Sequence, residues 1–139
     1  MTEDAIIIGG GFAGLSAAMQ LARARRRITI LDTGEPRNRF ASRSHGFLAQ
    51  DGRPGSDILA DARRQLAAYE TVTFRDTPAE RLDGERDAFS VITGDGERID
   101  TRRVLLATGF EDQLPLIPGI AERWGKTVLH CPYCHGYEV

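Results

Sequence analysis

The sequence lacks any long apolar segment. No stretch approaches the ~20 consecutive apolar residues that a membrane span requires, so we expect no membrane anchoring. The opening Met-Thr-Glu-Asp is acidic and leads straight into a short apolar run, without the basic region, apolar stretch and cleavage site of a signal peptide. The cytoplasm is therefore the expected compartment.

An excess of charge of either sign is also missing. With 18 Lys and Arg against 20 Asp and Glu, the net charge is −2 and the isoelectric point is about 5.9. This balance gives no electrostatic reason to expect nucleic acid or an anionic membrane as a partner. The 139 residues suffice for one domain with a hydrophobic core, and a second complete domain would not fit.

Cysteines are few: the chain has only Cys131 and Cys134. In a reducing cytoplasm, a C-x-x-C pair indicates redox or metal chemistry rather than a structural disulfide. A redox pair fits this spacing, which can close a small disulfide and lower a thiol pKa. A zinc half-site is the alternative, because His130 and His135 flank the cysteines, although structural zinc sites usually draw ligands from two separated clusters. Two unrelated buried thiols are the third interpretation.

The apolar pattern predicts an α/β chain that begins with a βαβ unit. Residues 5–8 form a continuously apolar run typical of a buried parallel strand, residues 12–25 a helix, and residues 28–31 a second strand. The polar segment 33–56, punctuated by Gly and Pro, predicts a long functional loop. The pattern also predicts a helix over 57–69, a strand over 72–74, an antiparallel meander over 79–82, 88–93 and 98–102 with turns at 83–84 and 94–96, and strands over 104–107 and 127–130.

Gly9, Gly11 and Gly14 form a G-x-G-x-x-G motif directly between the first strand and the first helix. The first glycine permits the tight turn, the second lets a pyrophosphate approach the backbone, and the third lets helix and strand pack closely. The phosphates then lie at the helix N-terminus. Asp32 ends the second strand, where a carboxylate accepts hydrogen bonds from ribose hydroxyls. The motif in this context predicts dinucleotide binding, and it favours the redox interpretation of the cysteines, with no metal site.

Together with the apolar strand that ends in Ala-Thr-Gly at 107–109 and the late C-x-x-C, these features resemble thioredoxin reductases and their low-molecular-weight flavoprotein relatives, over essentially the whole chain. The resemblance implies that the glycine motif binds FAD, and that the C-x-x-C begins an NADPH domain and exchanges electrons with the flavin. It implies an FAD-binding domain at 1–115, and a linker with the start of the NADPH domain at 116–139. On this resemblance, the cofactor-binding residues are Gly9, Gly11, Phe12, Ala13, Gly14, Asp32, Thr108 and Gly109.

The residue after the C-x-x-C is typical of a subgroup. The segment Cys-Pro-Tyr-Cys-His-Gly-Tyr-Glu, with SHGFL at 44–48 and QDG at 50–52, is similar to thioredoxin-reductase-like bacterial proteins and fungal dithiol oxidases such as gliotoxin oxidase. In these, histidine stands where thioredoxin reductases have an acidic aspartate. His135 is therefore a candidate acid or base beside the thiols, with a structural histidine as the alternative. The resemblance also implies that Cys134 lies nearer the flavin and that Cys131 attacks the substrate.

The expected reaction passes electrons from NADPH through FAD to the cysteine pair, and on to a disulfide in a thioredoxin-like protein or a small molecule. One alternative is an FAD-dependent dithiol oxidase that uses oxygen, and another is a zinc- or redox-sensing module with a remnant nucleotide fold. The expected fold is a Rossmann-like FAD-binding parallel sheet with a small antiparallel β-meander. Because no second glycine motif follows, we expect a fragment, truncated before the NADPH domain, of an enzyme that is a homodimer at full length.

Overall fold

The computed structural model describes residues 2–139 and has the expected α/β architecture. No helix within these residues is long and apolar enough to cross a membrane. In chain order, the elements are β1 (Ala5–Ile8), α1 (Phe12–Arg23), β2 (Ile28–Leu31), a 3-10 turn (Arg37–Phe40), α2 (Gly55–Leu66), β3 (Val72–Arg75), β4 (Ala79–Glu85), β5 (Ala88–Thr93), β6 (Arg98–Thr101), β7 (Val104–Leu106), α3 (Ile120–Arg123) and α4 (Pro132–His135).

A parallel sheet with the strand order β3-β2-β1-β7 carries the core. In the register of its central pair, Ala5 lies beside Ile28 and Ile8 beside Leu31. Strand β1 is continuously apolar, and β2 is apolar except for the buried Thr29, as expected of strands that are covered on both faces. Since all four strands are parallel, their carboxyl ends lie at one edge of the sheet, where α/β proteins bind ligands. The predicted βαβ unit is confirmed.

Helix α1 packs on β1 and β2 through small side chains. Its buried residues are Gly14, Leu15, Ala18 and Ala22, which recur at the helical spacing of three to four and so lie on one face. Glycine and alanine on that face let the helix approach the sheet closely. This close approach sets the position of the helix N-terminus above the end of β1.

The second sheet is the predicted antiparallel meander, in the order β4-β5-β6. Val91 of β5 is fully buried in one cluster with Ile6 of β1 and Leu31 of β2. The predicted turn at 94–96 is confirmed, since the Gly96 N–H donates to the Thr93 carbonyl over 2.8 Å.

The turn predicted at Asp83-Gly84 is wrong. Strand β4 continues through both residues, and the chain reverses at the following pair, Arg86 and Asp87. Gly84 lies within the strand with a φ of +100°, and a side chain there would collide with the Ala88 carbonyl. Its glycine therefore serves a close approach of two backbones rather than a chain reversal.

The chain divides into two compact units. The first comprises residues 2–35 and Ala62–Gly109, and it contains both sheets and α1. The second comprises Pro36–Asp61 and Phe110–Val139, and it contains the 3-10 turn, α3, α4 and both cysteines.

Within the second unit, an ion pair between Arg37 and Asp112 joins its two chain segments. The Arg37 guanidinium donates two hydrogen bonds to the Asp112 carboxylate, at 2.8 and 2.6 Å. These bonds hold the pKa of the Asp112 carboxyl below its ordinary value, because they favour the charged form.

The strand predicted over 127–130 is wrong. The segment forms only an isolated bridge between Trp124 and Val128, closed by a turn at Gly125 with a φ of +73°. A β-branched run needs a neighbouring strand to become a sheet strand, and Val128 instead meets a residue of its own turn. The short helices α3 and α4 were not predicted, and α2 begins at Gly55 rather than at residue 57.

Candidate functional site

Two of the motif glycines are required by the packing of the protein itself. Gly9 has a φ of +109°, and a side chain there would collide with the Ala107 carbonyl at the end of β7. At Gly14, a side chain would collide with the Gly9 carbonyl and lie 3.3 Å from Ile7 Cγ2. These positions therefore accept only glycine because backbone lies against them.

Gly11 differs from both, because no contact within the fold requires a glycine at this position. Its φ of −77° and ψ of −171° are open to any residue. Among residues 2–139, no atom lies within 4 Å of the place where its Cβ would stand. The space beside this backbone is open, and it lies at the start of α1, whose first N–H groups have no partner within the helix. This is the geometry that accommodates a phosphate.

Phe12 and Ala13 occupy the first turn of α1, as the motif predicted. Phe12 is half-buried and Ala13 is exposed. The first turn of α1 contains no acidic residue, so no carboxylate of its own repels an anion there. Both residues therefore belong to the surface around Gly11.

The Asp32 carboxylate is held at the end of β2 by two donors. The Gly10 N–H donates to its Oδ1 over 3.0 Å, and Arg63 Nη1 donates to its Oδ2 over 3.1 Å. Arg63 also donates to Asp76 over 2.8 Å and lies over the ring of Phe74, which fixes the guanidinium in place. Each carboxylate oxygen can accept a further hydrogen bond, so acceptor capacity remains for ribose hydroxyls.

Arg63 is a site residue that the sequence did not reveal. It lies on α2, far along the chain from Asp32, and no motif marks it. Its side chain is 32% exposed and that of Asp32 is 17% exposed, so this ion pair is partly shielded from water.

The segment after β7 borders the same turn. The Ala107 N–H donates to the Ile8 carbonyl over 2.8 Å, which continues the β1–β7 ladder by one residue. Thr108 and Gly109 follow and are exposed, and Gly109 has a φ of +70° with open space around it. The carboxyl ends of β1, β2 and β7 thus bring most of the predicted nucleotide-binding residues to one edge of the parallel sheet.

In the second unit, Cys131 and Cys134 form a disulfide, with Cα atoms 5.4 Å apart. Cys131 caps the single turn of α4, and its sulfur accepts a hydrogen bond of 3.2 Å from the Cys134 N–H. Pro132 occupies the first helical position, where its missing N–H costs nothing. Tyr133 and Tyr137 beside the disulfide are 91% and 97% exposed, so the loop presents aromatic surface.

All three histidines of the chain gather around this loop. The ring centroids of His45 and His135 are 6.1 Å apart, and those of His130 and His135 are 6.4 Å apart. His130 packs on Trp124 at 5.7 Å, and its buried Nδ1 has no hydrogen-bond partner in the part of the chain that the structure describes. Within residues 2–139, no three His, Cys, Asp or Glu side chains are arranged to hold a metal ion.

His45 was not predicted as a site residue, although the SHGFL motif that contains it was noted. It comes from the long loop after β2, and the fold brings it to His135 at the end of α4. The signals in the sequence were that motif and the loop's length, which predicted a functional role without assigning one to His45.

Comparison with known proteins agrees with this geometry. The sequence profile of the family described as pyridine nucleotide-disulphide oxidoreductase matches residues 3–138. A curated relative, thioredoxin reductase tcpT of Claviceps purpurea, is 38% identical over 97% of this chain and 43% of its own length.

Two solved structures share the fold closely. An oxidoreductase from Agrobacterium tumefaciens has a TM-score of 0.97 and 52% identity, covering 99% of this chain and 47% of the other. The crystal structure of HlmI has a TM-score of 0.92 and 46% identity, covering 99% of this chain and 44% of the other. The chain thus spans less than half the length of the proteins it matches.

Proposed function

Since this chain belongs to the pyridine nucleotide-disulphide oxidoreductase family and is thioredoxin-reductase-like, we propose that its protein passes electrons from NADPH, through FAD, to the Cys131–Cys134 pair and on to a disulfide substrate. The observation that carries the proposal is that the two cysteines form a disulfide in a chain whose glycine turn leaves Gly11 open. We include in it an FAD-binding domain at 1–115, a redox segment at 116–139, and a homodimer at full length.

The glycine turn fits the pyrophosphate of FAD because Gly11, alone among the motif glycines Gly9, Gly11 and Gly14, faces open space. The N–H groups at the start of α1 would hold the phosphates, with Phe12 and Ala13 beside them. The Asp32 carboxylate would accept hydrogen bonds from the ribose hydroxyls. Thr108 and Gly109, exposed at the end of β7, would line the nucleotide. When bound, FAD supplies two-electron chemistry between a nicotinamide and a disulfide.

The cysteines would carry out the exchange with the substrate. In the reduced pair, the Cys131 thiolate attacks a substrate disulfide, forms a mixed disulfide and releases one substrate thiol, which takes up a proton. The Cys134 thiolate then attacks Cys131 Sγ, releases the second substrate thiol and restores the intramolecular disulfide. His135, which follows Cys134 directly, would accept the proton that a thiol gives up as it becomes a thiolate. The substrate would be a thioredoxin-like protein or a small molecule.

The test uses the full-length protein that contains this chain, with Cys131→Ser and Cys134→Ser as a matched pair. We expect the wild type to be yellow, to oxidise NADPH and to reduce thioredoxin or an aromatic disulfide, and both variants to lose disulfide turnover. Flavin reduction by NADPH should survive in both. If Cys134 faces the flavin, only Cys131→Ser should show a long-wavelength absorption band from the remaining thiolate.

Each contrary outcome identifies a different error. A colourless protein that cannot take up FAD would refute the nucleotide site. Disulfide turnover that persists in either variant would remove the cysteine pair from the mechanism. A protein that ignores NADPH but consumes oxygen in the presence of a small dithiol would be a dithiol oxidase.

A further inference from the structure

His45 lies between two carboxylates and the histidine beside the disulfide. Its Nδ1 is 3.6 Å from Asp51 Oδ1 and 3.5 Å from Glu138 Oε1. The other contact of its ring is with His135, at 6.1 Å between centroids and 85° between planes. The side chain of His45 is 21% exposed, so these contacts are partly shielded from solvent.

We infer from the two carboxylates which nitrogen of the neutral His45 ring carries the hydrogen. At 3.5 and 3.6 Å the contacts are longer than ordinary hydrogen bonds, but carboxylate oxygens only accept, so they favour a hydrogen on the nitrogen that faces them. That nitrogen is Nδ1, and Nε2 is then left as an acceptor. A carboxylate that holds an imidazole in this way orients the ring for proton transfer at its other nitrogen.

The loop that carries His45 is itself anchored by one of these carboxylates. Asp51 Oδ1 accepts a hydrogen bond of 2.8 Å from the Gly46 N–H, so Asp51 anchors the backbone next to His45 while it faces the ring at 3.6 Å. A side chain at Gly46 would lie 3.7 Å from the ring of Tyr133, which places this loop against the cysteine loop. His45 is thus held in position from both sides.

His135 connects this cluster to the sulfurs. It follows Cys134 in the chain, and its backbone N–H donates to the Cys131 carbonyl over 3.3 Å. The remaining charged or titratable neighbour of its ring is His130, at 6.4 Å, which in turn contributes to the lowered pKa of Asp112. Removal of the His45 ring therefore takes away the link between two carboxylates and the histidine beside the thiols.

We propose that His45 is a positioning residue for the thiol chemistry: held by Asp51 and Glu138, it orients His135 and shares the proton that His135 takes from a thiol of the reduced cysteine pair. This inference rests on the proposed function, because it assigns the proton path at the same cysteines. The step is a proton transfer alone, in which the thiol becomes a thiolate and the histidine pair becomes singly charged.

The test measures thiolate formation without turnover. The full-length protein is reduced, freed of reductant and treated with iodoacetamide between pH 6 and 9, and alkylation of each cysteine is followed by peptide mass spectrometry. Only the thiolate reacts, so the rate reports its population. His45→Gln should slow alkylation at pH 7 roughly threefold, which corresponds to about half a unit in the pH midpoint.

Double variants test whether the carboxylates act through His45. Asp51→Asn keeps the oxygen that accepts from the Gly46 N–H and removes only the charge, and Glu138→Gln is the equivalent change. As a single change, each should alter the alkylation profile. Combined with His45→Gln, each should have no further effect, because the contact between the carboxylates and His135 through His45 is then already lost. Glu122→Gln, an exposed carboxylate on α3, is the matched control and should change nothing.

Three results would overturn the proposal: an unchanged profile in His45→Gln, additive effects in the double variants, or an equal effect of Glu122→Gln. Nitrogen-15 spectra of the histidine side chains in the unmodified protein provide a measurement that needs no folded variant. They should show the hydrogen of neutral His45 on Nδ1, and the other tautomer would refute the argument. Because alkylation needs neither cofactor nor substrate, its outcome is independent of whether the proposed turnover is observed.

Discussion

Replacing Gly11 by alanine separates the packing role of the glycine turn from its proposed role in nucleotide binding. The backbone at Gly11 is already in a conformation that alanine adopts, and apart from its chain neighbours no atom of residues 2–139 lies within 4 Å of the new methyl group. Alanine restricts the unfolded chain, which stabilises a protein by about 0.4–1 kcal/mol, but it is a poorer helix N-cap than glycine, which costs a similar amount. The apoprotein should therefore unfold at a nearly unchanged urea concentration.

Gly14→Ala is the matched control because the same methyl group meets backbone there. Its Cβ would collide with the Gly9 carbonyl, and overpacking of this kind costs about 1–3 kcal/mol. The free energies of unfolding of the two variants should thus differ by about 1–3 kcal/mol, although the chemical change is identical. Urea unfolding of the FAD-free, full-length protein, followed by circular dichroism, measures this difference.

At Gly11, FAD binding should weaken while the stability of the apoprotein stays nearly the same. A methyl group there would stand where the pyrophosphate must touch the backbone, so we expect the Kd for FAD to rise at least tenfold, about 1.4 kcal/mol, and Gly11→Val to abolish binding. Quenching of flavin fluorescence on titration gives the Kd. A Gly11→Ala protein that binds FAD with unchanged affinity, or whose apoprotein is destabilised as much as that of Gly14→Ala, would refute the assignment of this open space to the cofactor.

Two further predictions concern the ion pairs. Arg63→Gln should lower the free energy of unfolding by about 1 kcal/mol or less, because the pairs of Arg63 with Asp32 and Asp76 are partly exposed. The same change should weaken FAD binding, and unchanged binding in the flavin titration would mean that Asp32 needs no support from α2. Asp112→Asn should lower the thermal midpoint at pH 7, where the carboxylate that Arg37 stabilises is charged. Because the pKa of Asp112 is lowered on folding, the contribution of its charge to stability is complete above the unfolded pKa of about 4 and is lost as the pH falls through the folded value. The thermal midpoints of wild type and variant should therefore converge in acid. A difference that persists there would show that the charge is not responsible.

The elements that sequence alone predicted correctly are those whose cause is local. The βαβ unit follows from two apolar runs and a helical periodicity within residues 5–31, and the need for glycine at Gly14 follows from its contact with the Gly9 carbonyl in the same turn. The C-x-x-C spacing likewise allows only a small ring, and the structure shows that disulfide. In each case, the interacting residues are neighbours in the chain or belong to one supersecondary unit.

The two wrong predictions, of a turn at 83–84 and of a strand over 127–130, have physical reasons. A dipeptide such as Asp83-Gly84 favours a reversal, but Gly84 was needed where two strands approach closely, and the reversal moved to the next pair of residues. The segment 127–130, with β-branched Thr127 and Val128, had strand propensity but no strand to pair with, so it folded onto its own turn at Gly125.

The sequence by itself therefore determined the βαβ unit, the glycine turn and the small disulfide ring of the C-x-x-C pair, because each depends on contacts over short stretches of chain. Only the tertiary structure decided that Arg63 supports Asp32 and that His45 reaches Glu138 and His135. Those pairs are separated by long segments, and their meeting depends on the path of the whole chain. The pattern of apolar and polar residues predicts which face of a helix or strand is buried, but it does not predict which distant side chain packs against that face.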